Sequence, residues 1–285
     1  MTSPSLTRDL GFSLPGPSGH AVLLVHGMTG APGEMKFVAK RLHRAGYSVA
    51  APLLAGHGLD QNGLLATNWR DWLGTVASAF DALSKQHEVV HIAGICVGGA
   101  LGLALAADEP RVASVAVYSP TYRYDGWNMT GWYARLRPLV RPIAAWPGVR
   151  QISFAEPYPF GLKDERLREG VAQAMGSVIP GALDRISLGA MAEMHDLMDH
   201  VDEVGARITQ PVLIAHAEDD DMSHLRNAYR LRDALGGPVR LEVLDDCYHM
   251  VHIDRQREHV AQVTGEFFRH SAPFRVDAAT ALASA

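Results

Sequence analysis

The sequence predicts an α/β fold, a doubly wound and mostly parallel sheet with an inserted helical cap. Apolar runs typical of strands that are buried on both faces alternate with stretches whose apolar residues recur at helical spacing. This alternation is typical of a parallel sheet covered by helices on both faces. Residues 121–207 break the alternation, because they are rich in helix-compatible and aromatic residues and contain no convincing strand.

The predicted elements follow in regular order. Asn68 is a typical N-cap for the second helix, and Gly46 stands where the C-cap glycine of the first helix is expected. The sheet and its helices occupy 1–120 and 208–285, and 121–207 form the cap and a return helix. The predicted order is strand 21–25, helix 35–42, strand 47–52, helix 68–86, strand 88–94, helix 98–107, strand 113–119, strand 211–217, helix 223–235, strand 239–245 and a helix from about 253 to 270.

The composition is that of an ordinary globular protein. The 285 residues are 47% hydrophobic and 20% charged, which excludes disordered and fibrous classes. The net charge of −5 leaves no basic surplus for a nucleic acid, so no such partner is expected. No apolar run is long enough for stable membrane insertion, and the N-terminus lacks the features of a signal peptide. With only Cys96 and Cys247, a disulfide framework is not expected, which agrees with a cytoplasmic protein.

A tight turn, Gly94-Ile95-Cys96-Val97-Gly98, joins the strand at 88–94 to the next helix. Glycine two residues before and after Cys96 allows that turn, which lifts the thiol above the sheet at a helix N-terminus, where a thiolate is favoured. A small buried residue without a chemical role is the alternative interpretation, and the paired glycines argue against it. We therefore predict Cys96 as a nucleophile.

An acid and a histidine follow later strands, in the chain order nucleophile, acid, histidine. The strand at 211–217 runs into four consecutive acids. We select Asp220 to orient the base, with Asp219 as the second choice and the other acids solvated; capping of the next helix is the competing interpretation. His249 follows the strand at 239–245 and is predicted to take the thiol proton and return it to the leaving group.

A glycine-rich turn, His26-Gly27-Met28-Thr29-Gly30, ends the first predicted strand. We expect the backbone N–H of Met28 to be one oxyanion donor and the N–H of Val97, the residue after the nucleophile, to be the other. His26 is expected to hold the loop. No histidine or acid cluster has metal-ligand spacing, and no glycine loop for a phosphate follows the strand, so neither a metal nor a cofactor is expected.

Several of these motifs also carry a family resemblance. Five motifs are similar to landmarks of the α/β-hydrolase superfamily: "LLVHGMTG", "GHG" at 56–58, "GICVGG", "HAEDDDM" and "CYHMVHID". From 21 to 268 the chain resembles the small bacterial carboxylesterase and monoacylglycerol-lipase branch of that superfamily. The resemblance implies a cap over an acyl pocket for 121 to about 185, with Asp220 as acid, His249 as base and Met28 and Val97 as oxyanion donors. The nucleophile departs from the pattern: it is serine in nearly all members and Cys96 here.

The expected activity is hydrolysis of a carboxylic ester or thioester with a hydrophobic acyl group, through a thioester on Cys96. Acyl transfer to an amine or alcohol is the alternative, because thioesters react comparatively well with such acceptors. Two hypotheses from other classes compete with these activities. One is a non-catalytic ligand-binding protein, and the other is a redox sensor that uses Cys96 with Cys247. Unless Cys247 has that redox role, we expect it to be structural. Apolar residues at the start of the cap suit a lipid-like chain. The predicted substrate contacts are Met28, Trp127, Met129 and Trp132.

Overall fold

The computed structural model describes residues 10–129, 139–146, 148–174 and 179–272. Its main sheet has the strand order β1-β3-β2-β4-β5-β8-β9, and a small second sheet pairs β6 with β7. All neighbours in the main sheet run parallel except β1 and β3. The strands are β1 Phe12–Leu14, β2 His20–Val25, β3 Ser48–Ala51, β4 Val89–Ile95, β5 Val112–Tyr118, β6 Ser153–Ala155, β7 Arg185–Ser187, β8 Val212–Ala217 and β9 Val239–Leu244.

Helices cover both faces of this sheet, so the predicted doubly wound fold is confirmed. No helix among the described residues is long and apolar enough to cross a membrane. Residues 139–144 are also helical, and 3-10 turns span Pro32–Met35 and Gly205–Arg207. The helices are α1 Lys36–Arg44, α2 Gln61–Leu65, α3 Trp69–Ser84, α4 Val97–Asp108, α5 Glu165–Ala174, α6 Leu188–Val204, α7 Arg226–Ala234 and α8 Arg257–Ser271.

Helix α3 shows how local sequence sets an element. The Asn68 side chain accepts a hydrogen bond from the first turn, and the Asp71 carboxylate accepts one from the Asn68 N–H, which completes a capping box. Trp72, Val76 and Phe80 lie on the buried side of the helix, as their spacing predicted. The predicted N-cap is therefore confirmed.

Several details differ from the prediction, and the short helix α2 was not predicted. The last helix begins at Arg257, because residues 251–256 form turns before it. The edge strand β1 was not predicted; Phe12 pairs with Ala51. The expectation of no strand within 121–207 was wrong, since β6 and β7 pair there with Ser153 opposite Ser187. These strands have three residues each, too few to show the alternation that identifies a strand in sequence.

The return helix α6 belongs to the packing of the main domain. Its methionine stripe, Met191, Met194 and Met198, is fully buried in the main hydrophobic core. The helix packs against α4 and α3, which lie on the sheet. These methionines therefore support the helix that follows Cys96.

The parallel strands direct their carboxyl ends to one edge. Gly27 follows β2, Cys96 follows β4, and Asp220 and His249 follow β8 and β9. Because β2, β4, β5, β8 and β9 are consecutive neighbours in the sheet, these four loops meet at the same edge. Open parallel sheets place their ligand sites at this edge.

Candidate active site

Cys96 lies at the junction of β4 and α4 with φ 50° and ψ −113°. Positive φ is rare for a residue with a side chain and is typical of functional sites that the surrounding structure holds in place. The N–H of Cys96 donates to the carbonyl oxygen of Tyr118 on the next strand, at 2.8 Å. The residue is only 6% exposed and lines a cavity. The turn thus presents the thiol to this cavity.

The two flanking glycines are required by contact as well as by conformation. A Cβ on Gly94 would lie 2.4 Å from the carbonyl carbon of Gly98, and a Cβ on Gly98 would lie 2.3 Å from the carbonyl oxygen of Val25. Both distances are far below van der Waals contact. Only glycine at these positions allows the turn to pack against β2.

His249 and Asp220 are hydrogen-bonded to each other. Nδ1 of His249 lies 2.9 Å from Oδ2 and 3.1 Å from Oδ1 of Asp220. With Nδ1 used in this way, the other ring nitrogen is free for the nucleophile, and the Cys96 side chain lies near enough to raise the pKa of the imidazole. The structure therefore brings the three predicted side chains into one series, Asp220, His249 and Cys96, of which the first two are hydrogen-bonded and the last two line the same cavity.

The electrostatics of this series favour an ionised acid. Burial alone would raise the pKa of Asp220, but the charge and hydrogen bond of His249 outweigh it and lower that pKa. Burial alone would lower the pKa of His249, but the Asp220 carboxylate and the Cys96 side chain hold it well above the usual range. The imidazole is thus able to hold a proton taken from the thiol.

The Asp220 carboxylate is held by its own loop. Its Oδ1 accepts the N–H of Met222 at 2.8 Å and the N–H of Ser223 at 2.7 Å. Asp219, the second choice, is exposed, and its backbone carbonyl accepts the Nε1–H of Trp127 at 2.8 Å. Of these two acids, Asp220 is the one whose side chain contacts His249.

Asp221 was expected to be solvated, and that expectation was wrong. Its side chain is buried; Oδ1 accepts the N–H of His249 at 3.3 Å, and Oδ2 accepts the N–H of Gly161 at 3.1 Å. Burial and the neighbouring Asp220 raise the pKa of Asp221 to about 6. Sequence reasoning failed here because backbone donors from two distant segments hold this carboxylate inside. The carbonyl of His249 is held as well, since it accepts the Ser119 hydroxyl at 2.6 Å.

The loop after β2 lies beside the thiol. His26 accepts the N–H of Leu54 through Nε2 at 3.1 Å, while its Nδ1 lies 2.9 Å from the carbonyl oxygen of Gly27, so it fixes the loop as predicted. Met28 is buried and lines the cavity with Cys96. Val97 is the first residue of α4, where backbone N–H groups have no partner within the helix. The N–H groups of Met28 and Val97 therefore remain the predicted oxyanion donors.

Two acids of the cavity, the buried Glu34 and the half-buried Glu156, were not predicted. The Gly27 N–H donates to Oε1 of Glu34 at 2.7 Å, and the Thr29 hydroxyl donates to Glu156. Burial raises the pKa of Glu34 to about 7 and also raises the pKa of Glu156. Glu34 follows the glycine-rich turn closely, which was the available signal; nothing in the sequence around Glu156 indicated its place.

The cavity around Cys96 and His249 has a volume of about 170 Å³. Most of its wall is apolar, which suits an acyl chain. An adjacent cavity of about 230 Å³ shares part of that wall. Apolar residues of the first cavity include Ile95, Phe160, Leu162, Ile179, Leu183 and Ile253. The two cavities share Met28, Thr29, Tyr124, Glu156 and Met222.

The predicted substrate contacts occupy different places. Met28 lines both cavities, and Met129 lines the second. Trp127 is 57% exposed and lies edge-on to Tyr248, outside the walls of these two cavities. Trp132 lies outside the described residues. The described part of the chain contains no group of three or more His, Cys, Asp or Glu side chains that could hold a metal ion.

Known proteins share this architecture. A thermostable monoacylglycerol lipase from Bacillus sp. (strain H-257) is 36% identical over 100 residues, which cover 35% of this chain and only 39% of the lipase. A carboxylesterase from Bacillus subtilis (strain 168) is 23% identical over 251 residues, or 87% of this chain and 91% of the esterase. A solved structure from work on the metagenome-derived lipolytic enzymes LipS and LipT has a TM-score of 0.77 at 24% identity, covering 93% of this chain and 99% of that one.

The family assignment rests on a longer match. The structural likeness by itself shows the fold. The model of the family Hydrolase_4, described as serine aminopeptidase S33, matches residues 16–256, which include all four loops at the carboxyl edge of the sheet. The chain therefore belongs to the Hydrolase_4 (serine aminopeptidase, S33) family and is an enzyme of the α/β-hydrolase superfamily.

Proposed function

We propose that this protein hydrolyses carboxylic esters or thioesters with a hydrophobic acyl group, using Cys96 as nucleophile, His249 as base and Asp220 as the acid that orients the base. The observation that carries the proposal is the convergence of these three side chains, with His249 hydrogen-bonded to Asp220 and near Cys96, beside a largely apolar cavity. The monoacylglycerol lipase and carboxylesterase activities of the two relatives support an ester substrate. Serine is replaced by Cys96, so the acyl-enzyme is a thioester.

The first half of the reaction forms the acyl-enzyme. His249 removes the thiol proton, and the sulfur of Cys96 attacks the acyl carbonyl, forming a carbon–sulfur bond and a tetrahedral oxyanion. The N–H groups of Met28 and Val97 donate to that oxyanion. Collapse of the intermediate breaks the bond to the leaving alcohol or thiol, which receives the proton from His249.

The second half releases the acid. His249 removes a proton from water, the resulting hydroxide attacks the thioester carbonyl, and the same N–H groups stabilise the second oxyanion. Collapse breaks the carbon–sulfur bond, and the proton returns from His249 to Cys96. The carboxylic acid leaves, and the enzyme regains its starting state.

Acyl transfer is a second candidate function, and one observation favours it. The adjacent cavity of about 230 Å³ shares Met28, Thr29 and Glu156 with the cavity of Cys96, so it offers space for an acceptor beside the thioester. An amine or alcohol bound there would replace water in the second half of the reaction.

Intact-protein mass spectrometry tests both candidates. The protein is mixed with p-nitrophenyl acyl esters and with acyl thioesters, with Cys96→Ala as the control. A transient acyl adduct that is absent from Cys96→Ala supports the nucleophile, and its decay in water or only after addition of an amine or alcohol separates hydrolysis from transfer. If neither an adduct nor turnover occurs with any donor, the covalent mechanism is rejected and a ligand-binding protein becomes the better explanation. Cys96→Ser is the matched variant, since it restores the family's serine in the same turn.

A further inference from the structure

Asp221 is a buried carboxylate that the proposed reaction does not use. One oxygen accepts the N–H of His249 at 3.3 Å, and the other accepts the N–H of Gly161 at 3.1 Å. The carbonyl of Gly161 in turn accepts the N–H of Met250 at 2.9 Å. A single side chain thus joins the loop that carries the proposed base to residues 160–164, which we call the cap strap.

The cap strap is also part of the cavity wall. Phe160 and Leu162, on either side of Gly161, line the cavity that contains Cys96. Gly161 has φ +72°, and a Cβ there would lie 2.8 Å from Cγ of Met250 and 3.1 Å from Cβ of His249. The strap therefore touches the substrate space through its side chains and the base through its backbone.

The other end of the cap strap is held by a second buried carboxylate, Asp254. Its oxygens accept the N–H groups of Lys163 and Asp164, each at 2.8 Å. Oδ2 of Asp254 also accepts the N–H of Tyr248 at 2.8 Å. Asp254 thus binds the same two segments as Asp221, but it has no hydrogen bond with His249. This difference makes it a matched control.

We propose that Asp221 is a positioning residue that links acyl-chain contact at Phe160 and Leu162 to the placement of His249. The inference rests on the proposed ester hydrolysis. An acyl chain packed against the cap strap holds Gly161 in place. Because Asp221 is hydrogen-bonded to both Gly161 and His249, the backbone of His249 is then held in place as well. A short acyl group does not reach the cap strap, so it does not stabilise the position of Gly161 or of His249. Asp221 thereby makes the rate of the chemical step depend on acyl length.

Asp221→Asn removes the link with little change of shape. A carboxylate accepts at both oxygens, whereas an amide accepts at one end and donates at the other, so one of the two N–H groups loses its acceptor. Misplacement of a reacting group by about 1 Å costs roughly 10²-fold in rate. Asp254→Asn makes the same chemical change at the other end of the strap.

The test compares kcat and KM for p-nitrophenyl acetate and p-nitrophenyl hexanoate in the wild type, Asp221→Asn and Asp254→Asn. We expect Asp221→Asn to lower kcat for the hexanoate by about 10²-fold, to leave its KM little changed, and to lower the hexanoate-to-acetate ratio of kcat. Asp254→Asn keeps the wild-type ratio. The inference is overturned if Asp221→Asn affects both esters equally or neither, or if Asp254→Asn shifts the ratio as much.

If Asp221→Asn does not fold, Leu162→Ala tests the same link by removing the proposed contact with the acyl chain. We expect it to lower kcat for the hexanoate, whereas a residue that merely packs the acyl chain would raise KM alone, and that result would overturn the link. If the wild type hydrolyses neither ester, the proposed function is rejected, and so is the positioning role that depends on it. If the wild type hydrolyses both esters but Asp221→Asn leaves the hexanoate-to-acetate ratio of kcat unchanged, only the positioning role is rejected.

Discussion

Nδ1 of His249 lies 2.9 Å from Oδ2 of Asp220, and both side chains are buried. The pair is the electrostatic centre of the site: His249 lowers the pKa of Asp220 despite burial, and Asp220 raises that of His249 despite burial. In such a pair the acid sets the tautomer of the imidazole and stabilises its charged form.

Asp220→Asn is expected to lower kcat for a p-nitrophenyl ester by about 10⁴-fold, because the amide favours the wrong tautomer and no longer stabilises the imidazolium. Steady-state kinetics at pH 7 measure the loss, and circular dichroism checks the fold. Asp219→Asn is the control, since Asp219 is exposed, and it should retain wild-type activity. Equal losses in the two variants would refute the assignment of Asp220 as the acid.

Glu34→Gln is expected to raise activity above pH 7. Burial brings the pKa of Glu34 to about 7, so the wild type acquires a negative charge in the cavity as pH rises through that value. That charge opposes the oxyanion, at a cost of up to about 10-fold in rate for partly screened charges. A pH–rate profile from 5.5 to 9 should show a wild-type decline near pH 7 that the variant lacks.

The control for this profile is Glu193→Gln. Burial also raises the pKa of Glu193, but that side chain accepts the N–H of Trp69 and lies outside the walls of both described cavities. It should keep the wild-type profile. Superimposable curves for the wild type and Glu34→Gln would show that Glu34 does not act on the oxyanion.

Gly98→Ala is expected to destabilise the fold by at least about 1 to 3 kcal/mol, because the added methyl would lie 2.3 Å from the carbonyl oxygen of Val25 and must displace backbone. Gly74→Ala is the matched control. Gly74 lies within α3, and an added Cβ would have no atom within 4 Å apart from its chain neighbours and the backbone of its own helix, so alanine there should stabilise the protein by about 1 kcal/mol. Urea unfolding measures both changes. A Gly98→Ala protein as stable as the wild type would contradict the packing of the turn on β2.

His252→Leu is expected to reduce the sensitivity of the fold to acid. His252 is fully buried against Tyr118, neither ring nitrogen has a hydrogen-bond partner among the described residues, and burial together with His249 lowers its pKa to about 3. A lowered histidine pKa gives stability that is present above the unfolded pKa of about 6.5 and is lost at about 1.4 kcal/mol per pH unit as pH falls toward 3.

Between pH 7 and pH 5, the wild type should therefore lose about 2 kcal/mol more than His252→Leu. Urea unfolding at the two pH values measures this difference. His259→Gln, a change at an exposed histidine paired with Glu242, should follow the wild type. Parallel losses in all three proteins would mean that His252 is already charged or hydrated in the folded state.

The sequence was most informative where structure is local. The turn at Cys96 could be predicted because only glycine fits at Gly94 and Gly98, a steric condition that is visible in the residue types. The Asn68 cap was visible for the same reason. The meeting of Asp220 with His249 followed from their positions after neighbouring parallel strands, since such strands end at one edge.

The sequence was least informative about short strands. β1, β6 and β7 have three residues each and exist through pairing, such as Phe12 with Ala51 and Ser153 with Ser187. A run of three residues does not distinguish a strand from a loop. The surface position of Trp127 could not be predicted either, because its exposure depends on how the cap packs around it.

The sequence by itself determined the order of the longer strands and helices of the main sheet, the turn at Cys96 and the loops that carry the acid and the histidine, because apolar periodicity and backbone sterics act over a few residues. Only the tertiary structure decided which acids of the run at 218–221 turn inward, that Asp221 joins His249 to Gly161, and that Glu34 receives the Gly27 N–H. A carboxylate is buried only where hydrogen-bond donors compensate its lost hydration, and here those donors come from segments far apart in the chain.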